Sequence, residues 1–156
     1  MYRAIFFLLL SSVLLSSCAL NKKLNYHNDL LSNAANSNAP VQEKLDILLQ
    51  SYVQMMDEGL SNINPQRGYK LVKLYHDQNA QPIEKIIGEV QQWQSKMSDM
   101  EVLAFGLNTL RKPYTKKAID LFPKFERKYK QAQFVLGLSD KIKGGLTKVI
   151  GDKLGM

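Results

Sequence analysis

From residue 41 onward, apolar positions return every three or four residues, the period of a helix with one face on a core. Val41, Leu45, Leu48, Leu49, Tyr52, Met55, Met56 and Leu60 form the first stripe. Pro40 suits a helix start, where a missing N–H leaves nothing unpaired, and Glu43 complements the positive end of the dipole. Gly59 and the run Asn62-Ile63-Asn64-Pro65 close this element. Residues 66–79 fit two periods: Tyr69, Val72 and His76 share a helical face, whereas Tyr69, Leu71, Lys73 and Tyr75 alternate as in a strand. A short helix is expected, because a single strand has nothing to pair with.

Pro82, read as a first-position proline, opens a helix striped by Ile83, Ile86, Ile87, Val90, Trp93 and Met97. Ser98-Asp99-Met100-Glu101 is a capping box for a further helix reaching Arg111. Val102, Leu103, Phe105, Leu107 and Leu110 surround that helix on several sides, which predicts the most buried element. A last long stripe runs through Ala118, Leu121, Phe122, Phe125, Tyr129, Ala132 and Leu136. Its phase is the same on both sides of Pro123. One helix kinked at that proline is expected, or two helices joined almost without a loop. Taken together the pattern predicts an all-α protein, a small bundle of about five or six helices over residues 41–156.

The C-terminal segment has its own character. Ile142, Leu146, Val149, Ile150 and Leu154 recur at helical spacing among Lys141, Lys143, Lys148 and Lys153, but five glycines interrupt them. Each interior glycine costs about 1 kcal/mol relative to alanine, so this helix needs a surface to form on. It either docks on the bundle or folds on a membrane, with those five apolar side chains as the contact. Lys143 and Lys153 intrude on the apolar sector and would have to snorkel, which favours the bundle.

Before residue 41 the pattern weakens. Residues 18–40 are rich in Asn and Ser with few apolar positions, which reads as a flexible tether. Its span as a flexible chain would be on the order of 25 Å, enough to hold a domain off a membrane. Within it, a short helix around Tyr26 to Leu31 is the one element the spacing allows.

Residues 1–17 read as a signal peptide: Arg3 near the start, an apolar run from Ala4 to Leu15, then small residues. The run is short for a spanning helix, which needs about 20 apolar residues. The signal ends in Leu15-Ser16-Ser17-Cys18, and Cys18 is the only cysteine. This resembles the lipobox of bacterial lipoproteins. The resemblance implies a diacylglycerol on the Cys18 sulfur, cleavage before that residue, and usually a further acyl chain such as palmitate on the new amino group. Two or more chains hold a protein firmly on a membrane. Ala19 stands where aspartate would resemble an inner-membrane retention signal, and no acidic run follows Cys18. The resemblance thus implies an envelope protein anchored in the outer membrane and facing the periplasm.

Charge is unevenly spread. Residues 41–110 carry 6 basic and 9 acidic side chains, whereas residues 111–156 carry 12 and 4. A basic half suits an anionic contact: a lipid head group, an acidic glycan or an acidic envelope protein. Lys124, Arg127, Lys128 and Lys130 decorate the exposed side of the last long stripe and are the candidate partner-binding residues. Export and the lack of a recognisable motif argue against nucleic acid.

Chemistry-bearing patterns are sparse. His27 and His76 are the only histidines, one in the tether and one beside Asp77. With a single cysteine they make no metal shell, and no P-loop, G-x-S-x-G or H-E-x-x-H occurs. A non-enzymatic, membrane-anchored partner-binding or assembly factor without cofactor or metal is the leading expectation. One alternative is a membrane-perturbing protein acting through its C-terminal helix. Another is a carrier holding a small apolar ligand among Trp93, Leu103, Phe105 and Phe125.

Overall fold

The computed structural model describes residues 20–129, and the chain there forms six helices. They are α1 (residues 20–36), α2 (Val41–Ser61), α3 (Pro65–Gln78), α4 (Ala80–Gln94), α5 (Asp99–Arg111) and α6 (Pro113–Lys128). The all-α bundle expected from the periodicity is what the chain adopts. Cys18, Lys130, Ile142, Leu146, Val149, Ile150 and Leu154 lie outside the described residues.

The central element is α2, which packs against α3, α4 and α6. Its predicted stripe is its buried face: Leu45, Leu48, Leu49, Tyr52, Met55 and Met56 all sit in the core. Neighbouring helices cover it from several sides, so Ser51 and Val53 between the stripe positions are buried as well. The expectation that the helix after Ser98 would be deepest is therefore corrected. In α5 only Val102, Phe105, Gly106 and Thr109 are buried, and Leu107 is 44 % exposed. It packs mainly on α6 at the edge of the bundle, so its extra apolar residues face outward.

Residues 20–36 are the second correction. Composition suggested a tether, but these residues form α1, with Leu24, His27, Leu31, Ala34 and Ala35 buried. Leu24, His27, Leu31 and Ala34 recur at intervals of three and four, with Ala35 four residues after Leu31, while Asn21, Asn25, Asn33 and Asn36 point outward. A polar average concealed an amphipathic helix whose inner face uses small residues and a histidine. Lys23 pairs with Glu58 on α2 at 2.7 Å, and Lys85 on α4 donates to Asn36 at 3.0 Å.

Helix ends follow capping chemistry. The Asn64 side chain accepts from Gln66 N and Arg67 N at 3.0 and 3.2 Å, and Pro65 occupies the first turn, so residues 65–78 are helical as expected. The next helix begins at Ala80, two residues before the expected Pro82. Pro82 still sits in the first turn, where an N–H has no intrahelical partner. Ser98 and Glu101 form the capping box in front of α5. Of the two readings around Pro123, a single helix is observed, α6 with the proline inside it. The remainder of that stripe, Ala132 and Leu136, falls beyond the described residues.

Candidate functional site

Helix order sets the site. Lys23 meets Glu58, so the first described turn of α1 lies beside the end of α2. The α2–α3 turn brings the start of α3 to the same pole. The end of α6 joins it: Lys128 Nζ donates to Leu60 O at 2.8 Å, and Tyr129 OH donates to Gly59 O at 3.3 Å.

Between the start of α3 and the end of α6 lies a groove of about 600 Å³. Tyr69 and Tyr129 form its apolar part, with ring centroids 5.7 Å apart. Lys70, Arg127 and Lys128 supply three cations, Pro65 and Gln66 add to the lining, and none of the described lining residues is acidic. The Lys128 ammonium also lies 5.5 Å from the centre of the Tyr129 ring, a cation–π contact. Arg127 Nε donates to Pro123 O at 3.3 Å, a carbonyl one turn back. Such a groove offers charge and aromatic faces to an anionic ligand.

Two of the sequence-predicted residues, Arg127 and Lys128, are brought together here. Lys124 is exposed on the same helix but does not line the groove. Lys70 was not anticipated. It belongs to the net-acidic part of the chain, and only the packing of α3 on the bundle carries it next to Arg127.

A second polar cluster is internal. Ser51 Oγ bonds His27 Nδ1 at 3.0 Å and Tyr75 OH at 2.6 Å, joining α1, α2 and α3. Tyr52 OH bonds His76 Nδ1, a further link between α2 and α3. Burial raises the Tyr75 hydroxyl above its ordinary range, against the opposing pull of the Ser51 hydrogen bond. Burial, and then the neighbouring Tyr75 and Asp77, raise Tyr52 well above its own. Ser51 is 1 % exposed, so this hydroxyl–imidazole pair is a seam between helices. A nucleophile would need an open path to substrate.

A third polar contact lies at the α5–α6 junction. Lys112 pairs with Asp46 on α2, and burial, with the nearby carboxylate, raises the Tyr114 hydroxyl. Two of the rings proposed as a carrier lining pack on one another: Trp93 meets Phe105 edge to face at 4.9 Å. Phe125 is in the core beside Tyr129, with ring centroids 4.6 Å apart.

Among the described residues, no group of three or more His, Cys, Asp or Glu side chains is arranged to hold a metal ion. No described helix is long and apolar enough to cross a membrane. No family model, curated protein or solved structure matches this chain.

Proposed function

We propose that this is a lipid-anchored envelope protein that performs no catalysis and recruits an anionic partner through the groove between α3 and α6. The observation that carries the proposal is the convergence of Lys70, Arg127 and Lys128 on one aromatic-walled groove with no acidic side chain among its described lining residues. Cations from two separate helices meet there, which goes beyond the general basic character of the C-terminal half. The lipobox resemblance at Leu15-Ser16-Ser17-Cys18 supplies the anchor. An acidic segment of another envelope protein is the preferred partner, because side chains on two helices and a tyrosine pair can engage an extended acidic chain at several points. Crosslinking in intact cells, followed by recovery of the wild-type protein and of a Lys70→Glu, Arg127→Glu variant, tests this. One envelope protein recovered with the wild type and lost with the variant is the expected result. Identical partner sets from both would refute the groove.

A further inference from the structure

The pole that carries the groove also carries residue 20, the first described residue of α1, and that bounds its distance from the anchor. Leu20 is two residues after Cys18. Two residues span at most about 7 Å. An acylated Cys18 would therefore hold this end of the bundle at the bilayer. The opposite end, where α1 gives way to α2 near Asn38, lies about 25 Å from residue 20, the length of the 17 described residues 20–36 of α1.

The surface of the near pole suits that position. Ile63, at the α2–α3 turn, is 101 % exposed, and Leu74 is also exposed. Ile63 is presented by a built turn. Asn62 Oδ1 accepts from Asn64 N at 3.0 Å, while Asn64 in turn caps α3. A hollow of about 730 Å³ beside it is floored by Leu24 and Leu71 and flanked by Leu20. Arg67 and Lys70 line that hollow together with Glu58, whose carboxylate is paired with Lys23, and Lys22 is exposed two residues after Leu20. An apolar tip flanked by cations complements phosphate head groups over hydrocarbon.

We infer that the anchored protein rests on a phospholipid bilayer through this pole, with Ile63 among the head groups and Arg67 and Lys22 against phosphates. The inference rests on the reading of Cys18 as an acylated anchor. It replaces a domain standing off on a long linker with one seated on the membrane. Lys70 lines both the hollow and the partner groove, so the groove opens at the membrane surface. A bilayer fits better than a sheath for the protein's own acyl chain, because the fully exposed Ile63 has no protein neighbours to close around one.

The test uses the full mature chain, acylated and reconstituted in vesicles of phosphatidylethanolamine and phosphatidylglycerol. Mass spectrometry first establishes acylation at Cys18. Spin labels are then placed through Ile63→Cys and, separately, Asn38→Cys. The ratio of collisions with lipid-soluble oxygen to collisions with a water-soluble nickel chelate should be about fivefold higher at position 63 than at 38. Adding Arg67→Glu to the position-63 chain should lower its ratio towards that at 38. Equal ratios at the two positions in acylated protein would overturn the docking and leave the anchor standing. An unmodified Cys18 would overturn the anchor, and the docking with it.

Discussion

Gly59 on α2 and Gly68 on α3 meet backbone to backbone. A Cβ on Gly68 would stand 2.1 Å from the Gly59 carbonyl oxygen, and one on Gly59 would stand 2.6 Å from Val72 Cγ2. Two helices approach this closely only where neither carries a side chain, and the obstructing atom at Gly68 is backbone, which cannot rotate aside. Gly68→Ala should therefore force α3 off α2 and cost about 3 kcal/mol or more. Gly88, inside α4, is the control. A Cβ there meets nothing within 4 Å, so Gly88→Ala should stabilise by about 0.5–1 kcal/mol. Thermal unfolding of the two variants should move in opposite directions, and equal losses would contradict the crossing.

Lys44 is the least exposed lysine side chain among the ion pairs, at 6 %, and it bonds Glu89 on α4 at 2.7 Å; Glu89 is 28 % exposed. Removing the carboxylate leaves an ammonium buried without its counter-charge. Glu89→Ala should cost about 2 kcal/mol, less than for a fully buried pair because water reaches the carboxylate. Lys44→Met removes the charge and keeps the apolar stem, so it should lie within about 1 kcal/mol of wild type. Chemical denaturation in which Lys44→Met proved the more harmful change would reverse this account.

Acid should loosen the seam between α1 and the bundle. In an unfolded chain the His27 imidazole titrates near 6.5; in the bundle, burial first and the Lys23 charge second hold it lower. Between those values the unfolded chain binds more protons, so stability falls as pH drops below about 6.5. Above that range both states are neutral and His27 adds nothing to the pH dependence. The groups around it are Lys23 on its own helix, Ser51, Asp57 and Glu58 on α2, and Tyr75 on α3. Denaturant midpoints measured from pH 7.5 to pH 5 should decline less in His27→Gln than in wild type. Parallel curves would mean that His27 does not carry the effect.

The same seam shows how far the sequence could be read. Stripes built of Leu, Ile, Val and Met were legible as α2 and α4, and the Ser98–Glu101 spacing located the start of α5. The period of α6 held across Pro123 because the ring removes one hydrogen bond without moving the apolar face. Residues 20–36 were missed for a physical reason. Their inner face is Leu24, His27, Leu31, Ala34 and Ala35, and His and Ala weigh little in any apolar count. The burial of His27 depends on Ser51, 24 positions away, a pairing that no local window contains. Lys70 was invisible as a site residue on the same grounds, since its neighbour Arg127 is supplied by topology. For α5 the error ran the other way: apolar residues on several sides suggested depth, yet the helix has few neighbours to meet them.

The cations of the groove should separate by role. Lys128 donates to Leu60 O near the end of α2, where carbonyls lack intrahelical partners, so it contributes to the fold. Lys128→Ala should cost about 0.5–1 kcal/mol, the value of one such bond at a partly wet site. Lys70 has an exposed side chain on α3, and among the described residues Arg127 bonds a carbonyl of its own helix. Reversing both should leave the unfolding midpoint nearly unchanged, within about 0.5 kcal/mol each. If the groove binds an acidic chain, that double reversal removes partner recovery at unchanged stability, and affinity for the wild type weakens steeply with added salt. Lys124→Glu, placed on the same helix outside the groove, should retain the partner. Equal loss from Lys124→Glu and from the double reversal would mean that the partner senses net charge on α6 and not the groove.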